Sequence, residues 1–226
     1  MKLFSVALTA CLILNAGSCI AAENVVSTYT ESSSSLSFTA SWQRSGLSLP
    51  DRIADELVAR KAAEFRATAQ EEHAALQNIR GEETPPLEMN LKGTLSGNGR
   101  TLSLLWEEYV YTGGAHGNLM LSSQNHMLPG GKVFTLADLF PHKEKALKLI
   151  SELSRKKLLA RGLPEDMVNM GTVPEEENFR TFVLEKDGIT FYFSPYQVGP
   201  WSEGVVTVSL SLGELSGAAP RMSFWK

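Results

Sequence analysis

Cysteine is nearly absent from this sequence. Only two of the 226 residues are cysteines, Cys11 and Cys19, and both lie within the first twenty positions. The rest of the chain therefore has no disulfide framework, and its fold has to rest on an ordinary hydrophobic core. It also lacks the thiolates from which structural zinc sites are commonly built.

Long apolar runs and an excess of one charge are lacking as well. After the first residues, no segment approaches the ~20 consecutive apolar residues that a transmembrane helix requires. The 21 lysines and arginines nearly balance the 25 aspartates and glutamates, and the formal net charge is −4. Without basic clusters, a nucleic-acid partner and an anionic membrane surface are both disfavoured. We predict no nucleic-acid partner and no transmembrane segment in the mature chain.

The first residues have the layout of a secretory signal peptide. Lys2 precedes an apolar run over 3–16, and small residues follow, ending in "IAAE". This pattern predicts a signal peptide over 1–22 with cleavage after Ala22. The alternative is a lipoprotein signal at "AGSC", in which Cys19 carries a lipid anchor. Both interpretations predict an exported protein, periplasmic or secreted.

The remaining chain alternates between strand-like and helix-like segments. A polar, Ser-rich stretch over 23–35 predicts a linker. Apolar residues at three- and four-residue steps predict amphipathic helices from Pro50 to Gly81 and over 142–162, and a long polar loop over 163–178 follows the second helix. Alternating apolar and polar residues predict strands over the segments 36–42, 87–111, 118–128, 182–193 and 205–210. We predict an α+β fold in which an antiparallel sheet packs with two amphipathic helices.

Four sequence blocks carry a resemblance to a known family. They are "YTGGAHGN", "GGKVFTLADLF", "FVLEKDGITFYFSPYQVGPWSEG" and "VTVSLSLGEL", in this order. This order resembles exported bacterial domains of the DUF3298 type, in which a helix-bearing half called DUF4163 precedes the blocks. The resemblance assigns residues 36–110 to a DUF4163-like half and residues 111–226 to a DUF3298-like half.

The resemblance implies a fold similar to the extracellular domain of a lysozyme-sensing anti-sigma factor and to secreted mycobacterial antigens. A related half-domain also accompanies a peptidoglycan deacetylase. By this resemblance the partner class includes lysozyme-like muramidases, whose usual positive charge suits an acidic domain.

His116 is the first candidate site residue. It lies in a bend where Gly113, Gly114 and Gly117 widen the accessible backbone conformations. A histidine can act there as a base or a ligand near neutral pH. It can equally donate to a backbone carbonyl and fix the bend. Catalysis would need a carboxylate or nucleophile beside it, and the nearest acidic residues lie on a strand whose side chains alternate between faces.

The segment 194–204, "SPYQVGPWSEG", is the second candidate. Its prolines and glycines predict a stiff loop that bears Tyr196 and Trp201, large amphipathic side chains of the type enriched in binding sites. A preorganised loop loses little conformational entropy when it binds. We predict binding residues Tyr196, Pro200, Trp201 and His116. The alternative is that Tyr196 and Trp201 fold back and cover the end of the sheet.

The sequence predicts no cofactor and no metal site. His116, His126 and His142 lack the spacing of metal ligands, and the chain has no G-x-S-x-G nucleophile motif. We therefore expect an exported, non-enzymatic protein-binding module, with lysozyme-like muramidases as possible partners. The alternative is a hydrolase that acts on peptidoglycan with His116 in its site.

Overall fold

A computed structural model describes residues 25–81 and 83–226. The predicted signal peptide over 1–22, with Cys11 and Cys19, lies outside the described residues. None of the helices within the described ranges has a stretch long and apolar enough to cross a bilayer.

The described residues form nine strands, three α-helices and several short 3-10 helices. The strands are β1 (Val26–Ser32), β2 (Leu36–Gln43), β3 (Leu87–Gly97), β4 (Thr101–Tyr111), β5 (Asn118–Met127), β6 (Lys132–Phe134), β7 (Phe182–Glu185), β8 (Gly188–Phe193) and β9 (Val206–Ser211). The helices are α1 (Ser48–Arg80), α2 (Lys143–Ala160) and α3 (Glu165–Gly171). This mixture confirms the predicted α+β class.

The strands form two sheets. The first has the order β1-β2-β3-β4-β5-β6, and the second has the order β7-β8-β9. All neighbouring pairs are antiparallel except β2 and β3, which run parallel. The prediction of a wholly antiparallel sheet is therefore wrong at this pair. The reason is that α1 carries the chain back along the sheet, so that β3 begins at the same end as β2.

Helix α1 covers one face of the first sheet. Its buried positions follow the predicted helical spacing: Pro50, Ala54, Val58, Ala62, Phe65, Ala69 and His73. Opposite them lie the buried strand residues Leu36, Phe38, Ala40, Trp42, Leu87, Met89, Leu91, Leu104 and Trp106. The helix ends before Gly81, as predicted, and the positive φ of 95° at Gly81 is readily adopted by glycine.

Strand β1 replaces much of the predicted linker. Its side chains alternate between exposed and half-buried, and the Tyr29 ring lies 5.7 Å from that of Phe38 in an edge-on arrangement. Glu31 on the same face pairs with Arg66 of α1. Serines and threonines occupy most other positions, so Tyr29 is the main apolar contributor to burial. Because this Ser-rich segment lacks the alternating apolar residues that are typical of a strand, the sequence did not predict β1.

The second sheet and α2 build a second core, to which Phe134 of β6 in the first sheet also contributes. Ala146, Leu147, Ile150 and Leu158 of α2 are buried in one cluster with the inward-facing residues Phe182, Leu184, Ile189, Phe191, Phe193, Val206, Val208 and Leu210. The segment predicted as a polar loop contains α3, which is the third helix. Its seven residues bury Val168 and Gly171, too few positions for a helical period to appear in the sequence.

Side chains join the two sheets. Asn125 of β5 donates through Nδ2 to the carbonyl of Phe182 (3.2 Å) and accepts from Ser103 Oγ (2.6 Å). The amide of Phe182 donates to Ser123 Oγ (3.0 Å), and the amide of Leu184 donates to Ser103 Oγ (3.4 Å). Polar side chains of β4 and β5 thus meet the outer edge of β7, where another strand would otherwise pair.

Candidate functional site

Three predicted binding residues meet at one surface position. The His116 ring stacks on Trp201, with ring centroids 4.5 Å apart and planes inclined by 18°. The Tyr196 ring lies 6.0 Å from Trp201 and 6.3 Å from His116. We call His116, Tyr196 and Trp201 the aromatic cluster. Pro200 immediately precedes the short 3-10 helix Trp201–Glu203 that carries the tryptophan.

Hydrogen bonds fix the orientation of the His116 ring. Its Nδ1 lies 2.8 Å from the carbonyl oxygen of Gly117, and because a carbonyl only accepts, Nδ1 carries the donated proton. In the neutral ring Nε2 is then an acceptor, and the Tyr196 hydroxyl donates to it over 3.3 Å. Both ring nitrogens are engaged. His116 therefore fixes the bend through a backbone carbonyl and also belongs to the aromatic cluster.

Close packing holds the bend over 112–118. The Tyr109 ring lies so near Gly117 that a Cβ atom there would overlap it. Gly113 has a φ of 83°, and its carbonyl accepts from the guanidinium of Arg80 at the end of α1. Leu76 of the same helix would lie 2.8 Å from a Cβ at Gly113. The bend is therefore tied to both β4 and α1.

Buried contacts on both sides of Tyr196 anchor the loop 194–204, whose Tyr196 side chain is exposed. Val198 is fully buried, and Gln197 donates through Nε2 to the carbonyl of Asn178 (3.0 Å). Gly171 packs directly against the backbone carbonyl of Gln197. Tyr196 itself has a φ of 70°, in the left-handed region that residues with a side chain seldom adopt. Its ring is 53% exposed.

The His116 ring makes no direct contact with a carboxylate of the described residues. Within residues 25–81 and 83–226, no aspartate or glutamate forms a hydrogen bond or ion pair with it. Glu108 instead pairs with Lys61 (2.6 Å), and Glu107 lies 3.9 Å from Lys92. The acidic residues that precede the bend are thus engaged with lysines and not with His116. The same ranges contain no group of three histidine, cysteine or acidic side chains placed to hold a metal ion.

A groove runs along the edge of β5, next to loop 194–204. Its larger part has a volume of about 350 Å³, and its walls come from α1 (Leu57, Arg60, Lys61), from Glu108, from 120–123 of β5 and from 180–181. The smaller part, about 190 Å³, reaches Tyr192, Ser194 and Gln197. Both parts share Leu121, Arg180 and Thr181. We call these two adjoining depressions together the edge groove.

The edge groove was not predicted from the sequence, because its walls come from segments far apart in the chain. Two contacts define its rim: Leu121 N–H donates to Ser194 Oγ (3.1 Å), and Thr181 Oγ1 donates to the Leu121 carbonyl (3.2 Å). Burial, followed by the charges of Glu185 and Glu107, raises the pKa of Tyr192. The phenol in the groove wall therefore remains a neutral hydrogen-bonding group.

Comparison with known families identifies the C-terminal part of the chain. Residues 137–213 match the family model described as "Protein of unknown function (DUF3298)". The predicted resemblance is therefore confirmed for a DUF3298 domain. The assignment of a DUF4163-like half and the boundaries at 36, 110 and 111 stay predictions.

Two solved structures share the fold. A DUF3298 family protein of Pseudomonas aeruginosa PAO1 is 19% identical, with a TM-score of 0.60 over 90% of this chain and 95% of the other. A member of the family from Bacteroides fragilis NCTC 9343 is 18% identical, with a TM-score of 0.58 over 86% of this chain and 91% of the other. The shared architecture thus includes both sheets.

A curated relative indicates a different functional context from the one predicted. The peptidoglycan-N-acetylmuramic acid deacetylase PdaC of Bacillus subtilis (strain 168) is 28% identical over 116 residues, which cover 49% of this chain and 24% of PdaC. The match spans about a quarter of that enzyme. The prediction of a non-enzymatic protein-binding module directed at muramidases is wrong, since this relative is named for an action on peptidoglycan itself.

Proposed function

We propose that this chain has a peptidoglycan-related role and binds the glycan part of peptidoglycan through the aromatic cluster and the edge groove. The relative PdaC supports the substrate class, because its name states an action on N-acetylmuramic acid in peptidoglycan. The match covers 24% of PdaC, so the proposal takes from it the polymer and not the deacetylation reaction.

The aromatic cluster has the chemistry of a sugar platform. One face of a pyranose ring presents C–H groups, which are attracted to the negative face of an aromatic ring, and hydroxyls around its rim seek polar partners. Tyr196 and the face of Trp201 that His116 does not cover offer such surfaces. The oxygen of the Tyr196 hydroxyl, which donates its proton to His116, can still accept a hydrogen bond from a sugar hydroxyl. The hydrogen bonds of His116 hold these rings in place before any ligand arrives.

The edge groove has the size and mixture of groups expected of a ligand site. Its larger part is about 350 Å³, within the range of small-ligand pockets. Leu57, Met120 and Leu121 provide apolar surface, and Ser122 and Tyr192 provide hydroxyls along the same depression. The proposed path of a glycan strand runs from the aromatic cluster toward the groove, because Ser194 of the groove wall begins the loop that carries Tyr196.

The single observation that carries the site is the meeting of His116 and Tyr196, 80 positions apart, with Trp201 at an exposed surface. Each of the two loops is fixed by packing that does not involve the rings themselves.

An envelope location agrees with this function, so export by the signal peptide over 1–22, or lipid attachment at Cys19, belongs to the same proposal. So does the division into a DUF4163-like half over 36–110 and a DUF3298-like half over 111–226.

The proposal is tested by sedimentation with purified, insoluble peptidoglycan. We expect the wild-type chain to sediment, and the Trp201→Ala and Tyr196→Ala variants to bind roughly tenfold more weakly, the loss expected of a good contact. Val133→Ala is the matched control, because Val133 is 48% exposed on β6, at the end of β5 far from the bend. This control should bind like the wild type.

The same incubation separates binding from catalysis. Unchanged sedimentation of the Trp201 and Tyr196 variants, or no sedimentation of the wild type, would contradict glycan binding at this site. Release of soluble fragments or of acetate by the wild type, and not by His116→Ala, would instead establish an enzyme that uses His116.

A further inference from the structure

We infer that the edge groove is a carboxylate-binding site, in which Arg60 and Arg180 bind the acidic groups of peptidoglycan. This inference rests on the proposed function, which it deepens by naming the charged group recognised. The ligand chemistry is a carboxylate that stands beside a methyl group.

The charge of the groove favours an anion. Three cationic side chains, Arg60, Lys61 and Arg180, line its larger part together with the acidic Glu108. Glu177, the partner of Arg180, lines the smaller part, so three cations face two carboxylates. Lys61 and Glu108 form a 2.6 Å pair and are only 24% and 13% exposed. This pair neutralises itself at the floor of the groove. The charge presented to a ligand therefore comes from the two arginines.

Both arginines can exchange their present partners at small cost. Arg60 pairs with Glu64 (3.1 Å) and Arg180 pairs with Glu177 (2.7 Å), and all four side chains are more than half exposed. Exposed ion pairs of this kind contribute little to stability. A guanidinium binds a carboxylate through two parallel hydrogen bonds, which is a stronger and more directional arrangement. An incoming carboxylate therefore replaces a weak surface contact with a better one.

The surface that lines the groove with the two arginines is partly apolar, although Ser122, Ser123 and Thr181 also line it. Leu57 of α1 and Leu121 of β5 lie there, together with Met120, whose side chain is 43% exposed. Exposed apolar surface beside paired cations favours a ligand with a small apolar group next to its carboxylate. In peptidoglycan, two groups have this form: the lactyl group of a muramic acid that carries no peptide, and the C-terminal alanine of an attached peptide.

The groove also lies in the right place relative to the aromatic cluster. Ser194, which accepts from the amide of Leu121 in the groove, begins the loop that carries Tyr196. Ser194 also lines the smaller part of the groove, two positions from Tyr196. One ligand is thus inferred to extend from the cluster toward the groove.

The test compares four soluble probes by calorimetry with the full mature chain. They are a chitooligosaccharide without carboxylates, a muramic-acid disaccharide with a free lactyl carboxylate, a muramyl peptide, and the acidic stem peptide alone. We expect Arg60→Gln/Arg180→Gln to weaken binding of the carboxylate probes roughly tenfold and to leave the chitooligosaccharide unchanged. Higher affinity for the disaccharide or for the muramyl peptide identifies the source of the carboxylate.

Arg52→Gln is the matched control. Arg52 also lies on α1, pairs with a glutamate four residues later and is 62% exposed, but it does not line the groove. Its substitution removes the same charge and should leave every affinity unchanged. Equal losses from Arg52→Gln and Arg60→Gln would reduce the effect to net charge and would overturn the inference.

The remaining outcomes separate this inference from the proposed function. Chitooligosaccharide binding that depends on Trp201, without any gain from a carboxylate, overturns the groove assignment alone. Binding of the stem peptide that depends on Arg60 and Arg180, without chitooligosaccharide binding, supports the groove and overturns the aromatic platform. Failure of all four probes to bind overturns both.

Discussion

Tyr196 illustrates how a single residue departs from its preferred backbone conformation at the candidate site. It and Ala219 are the non-glycine residues with positive φ in the described part of the chain. Such a conformation costs roughly 1 kcal/mol or more and persists only where the surroundings impose it. Here the buried Val198 and the hydrogen bond of Gln197 impose it. The strain lifts the ring outward, which agrees with a binding role.

Glu214 provides the clearest electrostatic feature at the scale of one residue. Its carboxylate receives a hydrogen bond from Lys157 (2.8 Å), and the amide and hydroxyl of Ser211 donate to it over 2.8 and 2.9 Å. These donors, Lys157 foremost, lower the pKa of Glu214 from 4.5 to about 2. Glu214 therefore stabilises the fold when it is ionised.

This shift predicts a pH-dependent contribution to stability. Because the folded-state pKa of Glu214 is lowered, its contribution is complete above pH 4.5 and disappears as the pH falls toward about 2. We expect Glu214→Gln to reduce the free energy of unfolding by about 1 kcal/mol at pH 6, since solvent screens this partly exposed pair. Urea titrations between pH 6 and pH 2 should show the two proteins converging. Glu56→Gln should match the wild type throughout, and a constant difference would contradict the assignment.

At the scale of elements, β1 is the strand that depends most on a few contacts. It lies at the edge of the first sheet, where Glu31 pairs with Arg66 of α1 and Tyr29 donates to the same carboxylate (2.9 Å). Arg66 lowers the pKa of Glu31, while burial and Glu31 raise the pKa of Tyr29. The pair thus fastens an otherwise polar strand to the helix.

Loss of this pair is expected to loosen β1 without unfolding the sheet. In Arg66→Gln we expect amide exchange in residues 26–32 to accelerate roughly two- to fivefold, the effect of an exposed pair of about 0.5 to 1 kcal/mol. Exchange in β3 and β4 should not change. Hydrogen–deuterium exchange with peptide-level mass spectrometry measures both regions. Equal acceleration in β1 and β3 would mean that Arg66 supports the whole sheet.

The elements that could be predicted from the sequence are those with a long internal period. Helix α1 is 33 residues long and repeats its buried positions from Pro50 to His73, and the hairpin between β3 and β4 alternates around Asn98 and Gly99. Strand β1 and helix α3 were missed, because each buries only a few side chains. The parallel pairing of β2 with β3 was missed because it depends on where α1 returns the chain.

The candidate site was predictable in its residue types and not in its arrangement. Large aromatic side chains on a stiff loop identified Tyr196 and Trp201, and a glycine-rich bend identified His116. Their meeting depends on how the second sheet lies against β5, which no local pattern encodes. Arg60 and Arg180 were missed for the same reason, since 120 positions separate them and each looks like an ordinary surface arginine.

At the scale of the whole molecule, the polar junction between the sheets determines the site. Ser103, Ser123 and Asn125 meet the backbone of β7, and the chain from β7 leads through β8 to the loop with Tyr196. Phe134 of β6 also packs with Phe182 of β7, with ring centroids 6.4 Å apart. The geometry between bend and loop is therefore set by buried hydrogen bonds together with this apolar contact.

Removal of the central amide should weaken this junction. Asn125→Leu leaves the Phe182 carbonyl and the Ser103 hydroxyl without their partner, and buried groups in that state cost roughly 2 to 3 kcal/mol in total. We expect this loss in urea unfolding, together with weaker glycan binding. Asn90→Ala is the control, since Asn90 is exposed on β3. An unchanged midpoint for Asn125→Leu would mean that the cores hold the sheets together without the polar junction.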